Sequence, residues 1–141
     1  MKYWQEYFKT SYEMVIEAEG KTSTLLNDEV ESYLVRLLTK WFDKNQIPPE
    51  TPVAIMLMNA MQAHRDRHIQ LAEVAEICLF YDGFKIKQRR WPTAKYYYDM
   101  GTMAYGMAYV ASNDSLYNQL EENFTVCSQI LTTIQKFNDT Y

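Results

Sequence analysis

The chain has 141 residues, 48% of them apolar, and a formal net charge of −4. This length and apolar content suit one hydrophobic core, so residues 1–141 are expected to form a single domain. The negative charge argues against a dedicated nucleic-acid binder, because phosphate contacts need a basic surface. No apolar leader and no stretch of about 20 apolar residues occurs, which predicts a cytoplasmic protein that does not enter a membrane.

Apolar residues recur at intervals of three or four along the first half of the chain, which is typical of helices. The first helix is expected before Gly20, and the second contains a stripe from Val30 to Phe42. Asp28 and Glu31 have the spacing of a capping box at the start of the second helix. The third helix, PVAIMLMNAM, is apolar on all sides, so we expect it near the centre of the fold.

The second half of the chain predicts three more helices. A fourth helix should end or bend at Gly83, a fifth should follow Pro92-Thr93, and a sixth should carry one apolar stripe from Leu116 to Ile134. No strand pattern and no internal repeat is present. The sequence therefore predicts an all-α single-domain bundle of about six helices, with the third and fifth helices at its centre.

The fifth helix has one face of small residues, which includes Gly101, Ala104 and Ala108. Small side chains at this spacing let a neighbouring helix approach closely, so we expect this face to be packed. Asp99 falls on the most polar face of the helix, within one turn of Lys95. We expect Asp99 to be solvated there; the alternative is a buried Asp99 that anchors an arginine of the QRRW segment.

Several short motifs carry a resemblance to a known family. The stretch from Leu71 to Leu79, the Arg89-Arg90-Trp91 turn and the Tyr97–Gly101 segment resemble an uncharacterised family of small bacterial all-helical proteins. The resemblance implies that Glu76, Arg90 and Asp99 belong to a recurring group of structural ion-pair residues. It implies no activity, since none is established for that family.

A basic segment is the most asymmetric feature of the sequence. Positive charges cluster here without an intervening acid, and the candidate residues for binding a partner or an anion are Lys85, Lys87, Arg89, Arg90 and Trp91. The segment could bind an acidic partner, a phosphate group or single-stranded nucleic acid. The favoured interpretation is internal, in which these charges balance the chain's own acids.

The remaining candidate sites are weak. His64 and His68 would lie one helical turn apart and could face one metal, but no carboxylate is placed to join them, so no metal site and no cofactor is predicted. Cys78 and Cys127 are expected to be small buried residues. No catalytic motif is recognised, which favours a non-catalytic protein without excluding an enzyme.

Two hypotheses for function follow. The first is a bacterial helical interaction or scaffold protein whose partner is another protein or a second copy of the chain. The alternative is a helical bundle that binds a small ligand or a metal. A ligand pocket bounded by Tyr98, Tyr105 and methionines would favour the alternative, whereas a filled core would favour the interaction protein.

Overall fold

The computed structural model describes residues 2–43, 46–48, 52–84 and 93–138, and these ranges form an all-α single-domain bundle without strands. Seven helices occur in the described residues: α1 (Lys2–Thr22), α2 (Asp28–Trp41), α3 (Val53–Met61), α4 (Arg67–Gly83), α5 (Ala94–Ser112), α6 (Ser115–Glu122) and α7 (Phe124–Asn138). No helix in this part of the chain has the length and hydropathy needed to cross a membrane.

The centre of the bundle is the contact between α4 and α5, which is the most extensive helix pair among the described residues. The small face of α5 makes this close approach possible: Gly101, Ala104 and Ala108 are all buried. A β-carbon added at Gly101 would lie 2.6 Å from the Phe124 ring and 2.9 Å from the Cys78 β-carbon. The predicted packing role of this face is therefore confirmed.

Helices α1, α2 and α7 complete the core on the other side of α4. The ring of Tyr7, early in α1, stacks on Phe42 at the end of α2 with centroids 5.2 Å apart, so these two helices run antiparallel. Helix α7 packs against both α1 and α4. Gly83, where α4 ends as predicted, sits against the Leu131 side chain of α7, which leaves no room for a β-carbon.

The position predicted for α3 is wrong. This helix packs mainly on α4, with a smaller contact to α5, and only Val53, Leu57 and Ala60 are buried along it. Ile55 and Met58 are more than half exposed. Helix α3 is therefore a peripheral helix with an uncovered apolar surface, although its composition is apolar on all sides.

The predicted sixth helix is two helices, α6 and α7, which meet at Asn123. The Asn123 side chain donates a hydrogen bond to the Gln119 carbonyl at 2.8 Å, while the ring of Phe124 turns into the core against α5. Backbone hydrogen bonds continue on both sides of the junction, from Asn123 to Gln119 and from Cys127 to Asn123. The apolar stripe therefore persists through a bend that the sequence pattern does not show.

The helix caps differ from the sequence interpretation at one place. Thr93 and Asp114 cap α5 and α6 with their side chains, as turn residues at those positions should. At α2 the cap is Asn27, whose side chain accepts a hydrogen bond from the Val30 amide at 3.0 Å. The capping box predicted for Asp28 and Glu31 is therefore wrong by one residue, which leaves the Glu31 carboxyl group available for another contact.

Candidate functional site

The basic segment predicted to bind a partner or an anion lies outside the described residues. This applies to all five of its candidates, Lys85, Lys87, Arg89, Arg90 and Trp91. Their binding role, and the alternative in which an arginine of the QRRW segment contacts Asp99, stay predictions.

Asp99 lies on the solvated face of α5. Its side chain is 50% exposed, and one carboxylate oxygen accepts a hydrogen bond from Lys95 Nζ at 2.9 Å, one turn earlier in the same helix. The hydrogen bond and the charge of Asp99 raise the pKa of Lys95. This geometry matches the expectation that Asp99 is solvated. Such an exposed ion pair contributes little to stability.

Glu76 has a different environment, in a buried polar network between α2, α4 and α5. The Tyr33 hydroxyl donates a hydrogen bond to Glu76 Oε2 at 2.5 Å, and the hydroxyl oxygens of Tyr33 and Tyr105 are 3.1 Å apart. A hydroxyl has one proton to donate and a carboxylate has none, so the bonds run from Tyr105 to Tyr33 to Glu76. Glu76 and Asp99 therefore belong to separate polar groups, each with its own partners.

The electrostatics of this network favour neutral tyrosines and a carboxyl group that holds its proton more tightly than usual. Burial raises the pKa of Glu76, while the Tyr33 hydrogen bond and the Lys40 charge oppose that rise. Burial raises the pKa of both Tyr33 and Tyr105 well above the usual value. Arg36 covers the Tyr33 ring, with its guanidinium carbon 5.7 Å from the ring centroid.

Glu76 also forms part of a small pocket between α2, α3 and α4, which we call the Glu76 pocket. Its volume is about 240 Å³. Its polar lining consists of Lys40, Gln46, Glu73 and Glu76, and its apolar lining of Trp41, Ile47, Pro48, Met56 and Ile77. Lys40 Nζ stands 3.9 Å from Glu76 Oε1, which is an ion pair at a distance too long for a hydrogen bond.

A larger apolar surface lies on the other side of α4, where α3, α4 and α5 leave a groove of about 440 Å³. We call it the methionine groove, and its lining residues are Met61, Arg67, Leu71, Met103, Gly106, Met107, Val110 and Ala111. Met61 and Met103 are nearly half exposed and Val110 is 84% exposed. Apolar side chains in this number on one concave surface are typical of a binding site.

The histidine pair does not have the geometry expected from the sequence. His64 lies in the turn between α3 and α4, where Asp66 takes a left-handed conformation with φ of 54°, and α4 begins only at Arg67. His68 is on α4 with its ring near that of Tyr117. The two imidazoles are therefore not one turn apart on one helix, and the described residues contain no cluster of three or more potential metal ligands.

The two tyrosines named in the ligand hypothesis lie in different environments: Tyr98 lines a cavity of about 720 Å³ with Met103 and the polar residues Asp99, Thr102, Glu121 and Glu122, whereas Tyr105 does not line it. Tyr105 is completely buried, with its ring packed edge-on against Phe124 and Tyr33. Cys78 and Cys127 are buried free thiols, as predicted. Burial raises the pKa of each thiol to about 12, so neither is a nucleophile at neutral pH.

Sequence reasoning misses both the Glu76 pocket and the methionine groove. Periodicity places Tyr33 in an apolar stripe, although a tyrosine within a buried stripe needs a partner for its hydroxyl. It places the third helix, with Met61, at the centre of the fold, and it treats the methionines of the fifth helix only as the wall of a possible ligand pocket. Comparison of the chain with profiles of protein families, with curated proteins and with solved structures finds no significant match. The resemblance to bacterial helical proteins therefore stays a prediction.

Proposed function

We propose that the protein is a non-catalytic helical interaction protein of the bacterial cytoplasm, and that it binds an amphipathic helix of another protein in the methionine groove. The observation that carries the proposal is the uncovered apolar surface formed jointly by α3, α4 and α5. An amphipathic helix laid into such a groove buries its apolar face against it. No reaction and no cofactor is part of this function.

The shape of the groove favours a helix over a small molecule. Val110 protrudes almost fully into solvent, and Met61 and Met103 remain nearly half exposed at the groove. Ligand pockets bury most of the surface of a small ligand, which a groove with such exposed walls does not do. Methionine side chains adapt their shape to an incoming apolar surface, which suits recognition of a helix.

The charge at the groove indicates what the partner helix carries. Arg67 is exposed, lines the groove and donates from Nε to the Ala63 carbonyl, which fixes the side chain against the α3–α4 turn. None of the ion pairs among the described residues uses Arg67. We therefore expect the partner helix to place an acidic residue beside Arg67 and apolar residues along the methionines.

A site-specific crosslinking experiment tests this function. A photoreactive amino acid at position 110 probes the groove, and the same residue at position 25 is the control, because Leu25 is 88% exposed and lies outside the groove. In the native cells, position 110 should give one discrete adduct with a protein segment of helical apolar periodicity, and position 25 should not. Adducts of the same pattern from both positions would contradict the proposal.

Variants then test the chemistry of binding with the crosslinked segment as a synthetic peptide. Met103→Glu should weaken binding by roughly tenfold or more, because it places a charge in an apolar contact. Arg67→Gln should weaken binding less and reduce its dependence on salt. A crosslink between two copies of this chain would show that the groove binds a second copy, so that the protein forms a homo-oligomer instead of binding an external partner.

A further inference from the structure

The Glu76 pocket contains a carboxylate oxygen that accepts no hydrogen bond from the described residues. Glu76 Oε2 accepts the Tyr33 hydroxyl, whereas Oε1 has no hydrogen-bond donor among the described residues and faces Lys40 only at 3.9 Å. The side chain is 17% exposed, so a half-buried acceptor is accessible at the pocket. The Tyr105–Tyr33 relay holds this carboxylate in one orientation.

The charges and walls of the pocket define the chemistry that fits it. Among the described residues that line the pocket, Glu73 and Glu76 are acidic and Lys40 is basic, so these residues together carry a net negative charge. Trp41 supplies an aromatic wall, which attracts a cation, and Ile77 supplies an aliphatic one. The volume is below the ~300–1,000 Å³ of pockets for drug-sized ligands, which restricts the occupant to a small molecule.

We propose that the Glu76 pocket binds a small organic cation, with a primary ammonium group at Glu76 Oε1 and an apolar body against Trp41 and Ile77. The ammonium group supplies the hydrogen-bond donor that Oε1 lacks among the described residues, and its charge pairs with the half-buried carboxylate. The site lies on the opposite side of α4 from the methionine groove and does not depend on the function proposed for that groove.

Lys40 is the internal competitor of such a ligand. Its ammonium group is near Glu76 but remains 46% exposed and too distant to donate a hydrogen bond, so an incoming cation can take the position beside Oε1. The raised pKa of Glu76 means that the carboxyl group must lose its proton before it can pair with a cation. Ligand binding is therefore expected to weaken as the solution is made acidic and Glu76 takes up its proton.

Titration with benzylammonium, followed by NMR, tests the proposal. In the whole chain, the indole N–H signal of Trp41 and the methyl signals of Ile77 should shift and saturate, with a dissociation constant on the order of 1 mM. Benzyl alcohol has the same ring without the charge and is the matched ligand control. Equal binding of the alcohol, or shifts that map outside the pocket, would overturn the proposal.

Three variants separate a direct contact from a general charge effect. Glu76→Gln should weaken benzylammonium binding by roughly tenfold or more. Glu73→Gln removes the same charge from an exposed residue one turn away, and we expect a loss of only about twofold. Lys40→Met should tighten binding by about threefold, because the competing cation is removed.

Equal losses in the two glutamate variants, or weaker binding in Lys40→Met, would overturn the site. The lysine variant keeps the test valid if Glu76→Gln does not fold.

Discussion

The carboxyl group of Glu31 shows how a contact between helices changes the chemistry of one residue. Because Asn27 caps α2, Glu31 is not needed at the helix start and meets Glu19 of α1 instead. Glu19 is buried: its Oε2 accepts the Leu26 amide at 2.9 Å, and its Oε1 has no other donor among the described residues. A proton on Glu31 supplies that donor, and partial burial together with Glu19 raises the pKa of Glu31 to about 7.

This shared proton predicts how stability depends on pH. The unfolded chain holds the Glu31 proton only below its ordinary pKa of 4.5, whereas the folded protein holds it up to about pH 7. The contribution of Glu31 is therefore fully present below pH 4.5 and is lost as the pH rises through about 7. Since Glu31 is partly exposed, solvent screening limits this contribution to ~1 kcal/mol.

Chemical denaturation of Glu31→Gln checks this prediction. The glutamine amide imitates the protonated carboxyl group at every pH. Between about pH 5 and pH 8, the free energy of unfolding should therefore fall by about 1 kcal/mol less in the variant than in the native protein. Glu29→Gln, at an exposed neighbour, should keep the native pH dependence. If Glu31→Gln loses as much stability as the native protein over this range, the two carboxyl groups do not share a proton.

Single residues are predictable from sequence where their environment is local. Asp99 and Lys95 are one turn apart, so helix periodicity alone predicts their surface pair. The partners of Glu76, Tyr33 and Lys40, come from α2, at sequence separations that no local pattern encodes. The ring and hydroxyl of Tyr33 have to be placed in the folded core before Glu76 is recognised as a buried acceptor.

At the scale of helices, two glycines illustrate opposite roles of a missing side chain. Both lie within helices, where glycine costs up to ~1 kcal/mol relative to alanine. A β-carbon added at Gly20 of α1 would have no atom within 4 Å, while one added at Gly101 of α5 would be enclosed by Phe124 and Cys78. The cost is therefore offset by packing at Gly101 and by nothing at Gly20.

Alanine at each position measures this difference. Gly20→Ala should raise the free energy of unfolding by ~0.5–1 kcal/mol, because only helix propensity changes. Gly101→Ala should lower it by ~1–2 kcal/mol, because overpacking against the Phe124 ring exceeds the gain in propensity. Denaturant unfolding of both variants checks the pair. A Gly101→Ala protein as stable as Gly20→Ala would show that α5 can move away from α4 and α7 without cost.

The helices themselves are predictable from periodicity, but two features of their arrangement are not. The apolar surface of α3 looks the same in sequence whether it faces the core or a partner, so its peripheral position cannot be inferred. The bend at Asn123 keeps the apolar spacing on both sides. Next to this junction the Phe124 ring lies against Gly101 of α5, which is a tertiary contact that the sequence pattern does not show.

Across the whole molecule, packing is unequal between α3 and the central pair of helices, α4 and α5. Helices α4 and α5 share the most extensive contact, which buries Gly101, Ala104, Tyr105 and Ala108 along α5. Helix α3 rests on α4, has three buried residues and begins at Pro52 without a side-chain cap. Because the methionine groove is formed partly by α3, the proposed binding surface includes the helix with the smallest contact among α3, α6 and α7, the three helices that pack on α4 or α5.

This difference in packing predicts which helices exchange their amide hydrogens fastest. Amides of α3 should exchange through a local opening, at rates roughly tenfold or more above those of α4 and α5, which open only with the global unfolding of the core. Helix α6 is the matched comparison, because it is as short as α3 but has the Asp114 cap and a broad contact with α5. Its amides should exchange more slowly than those of α3.

Residue-resolved exchange by NMR measures all four helices in one sample. Equal protection of α3 and α4 would mean that the groove opens only when the whole bundle unfolds, and that a partner helix meets a preformed surface.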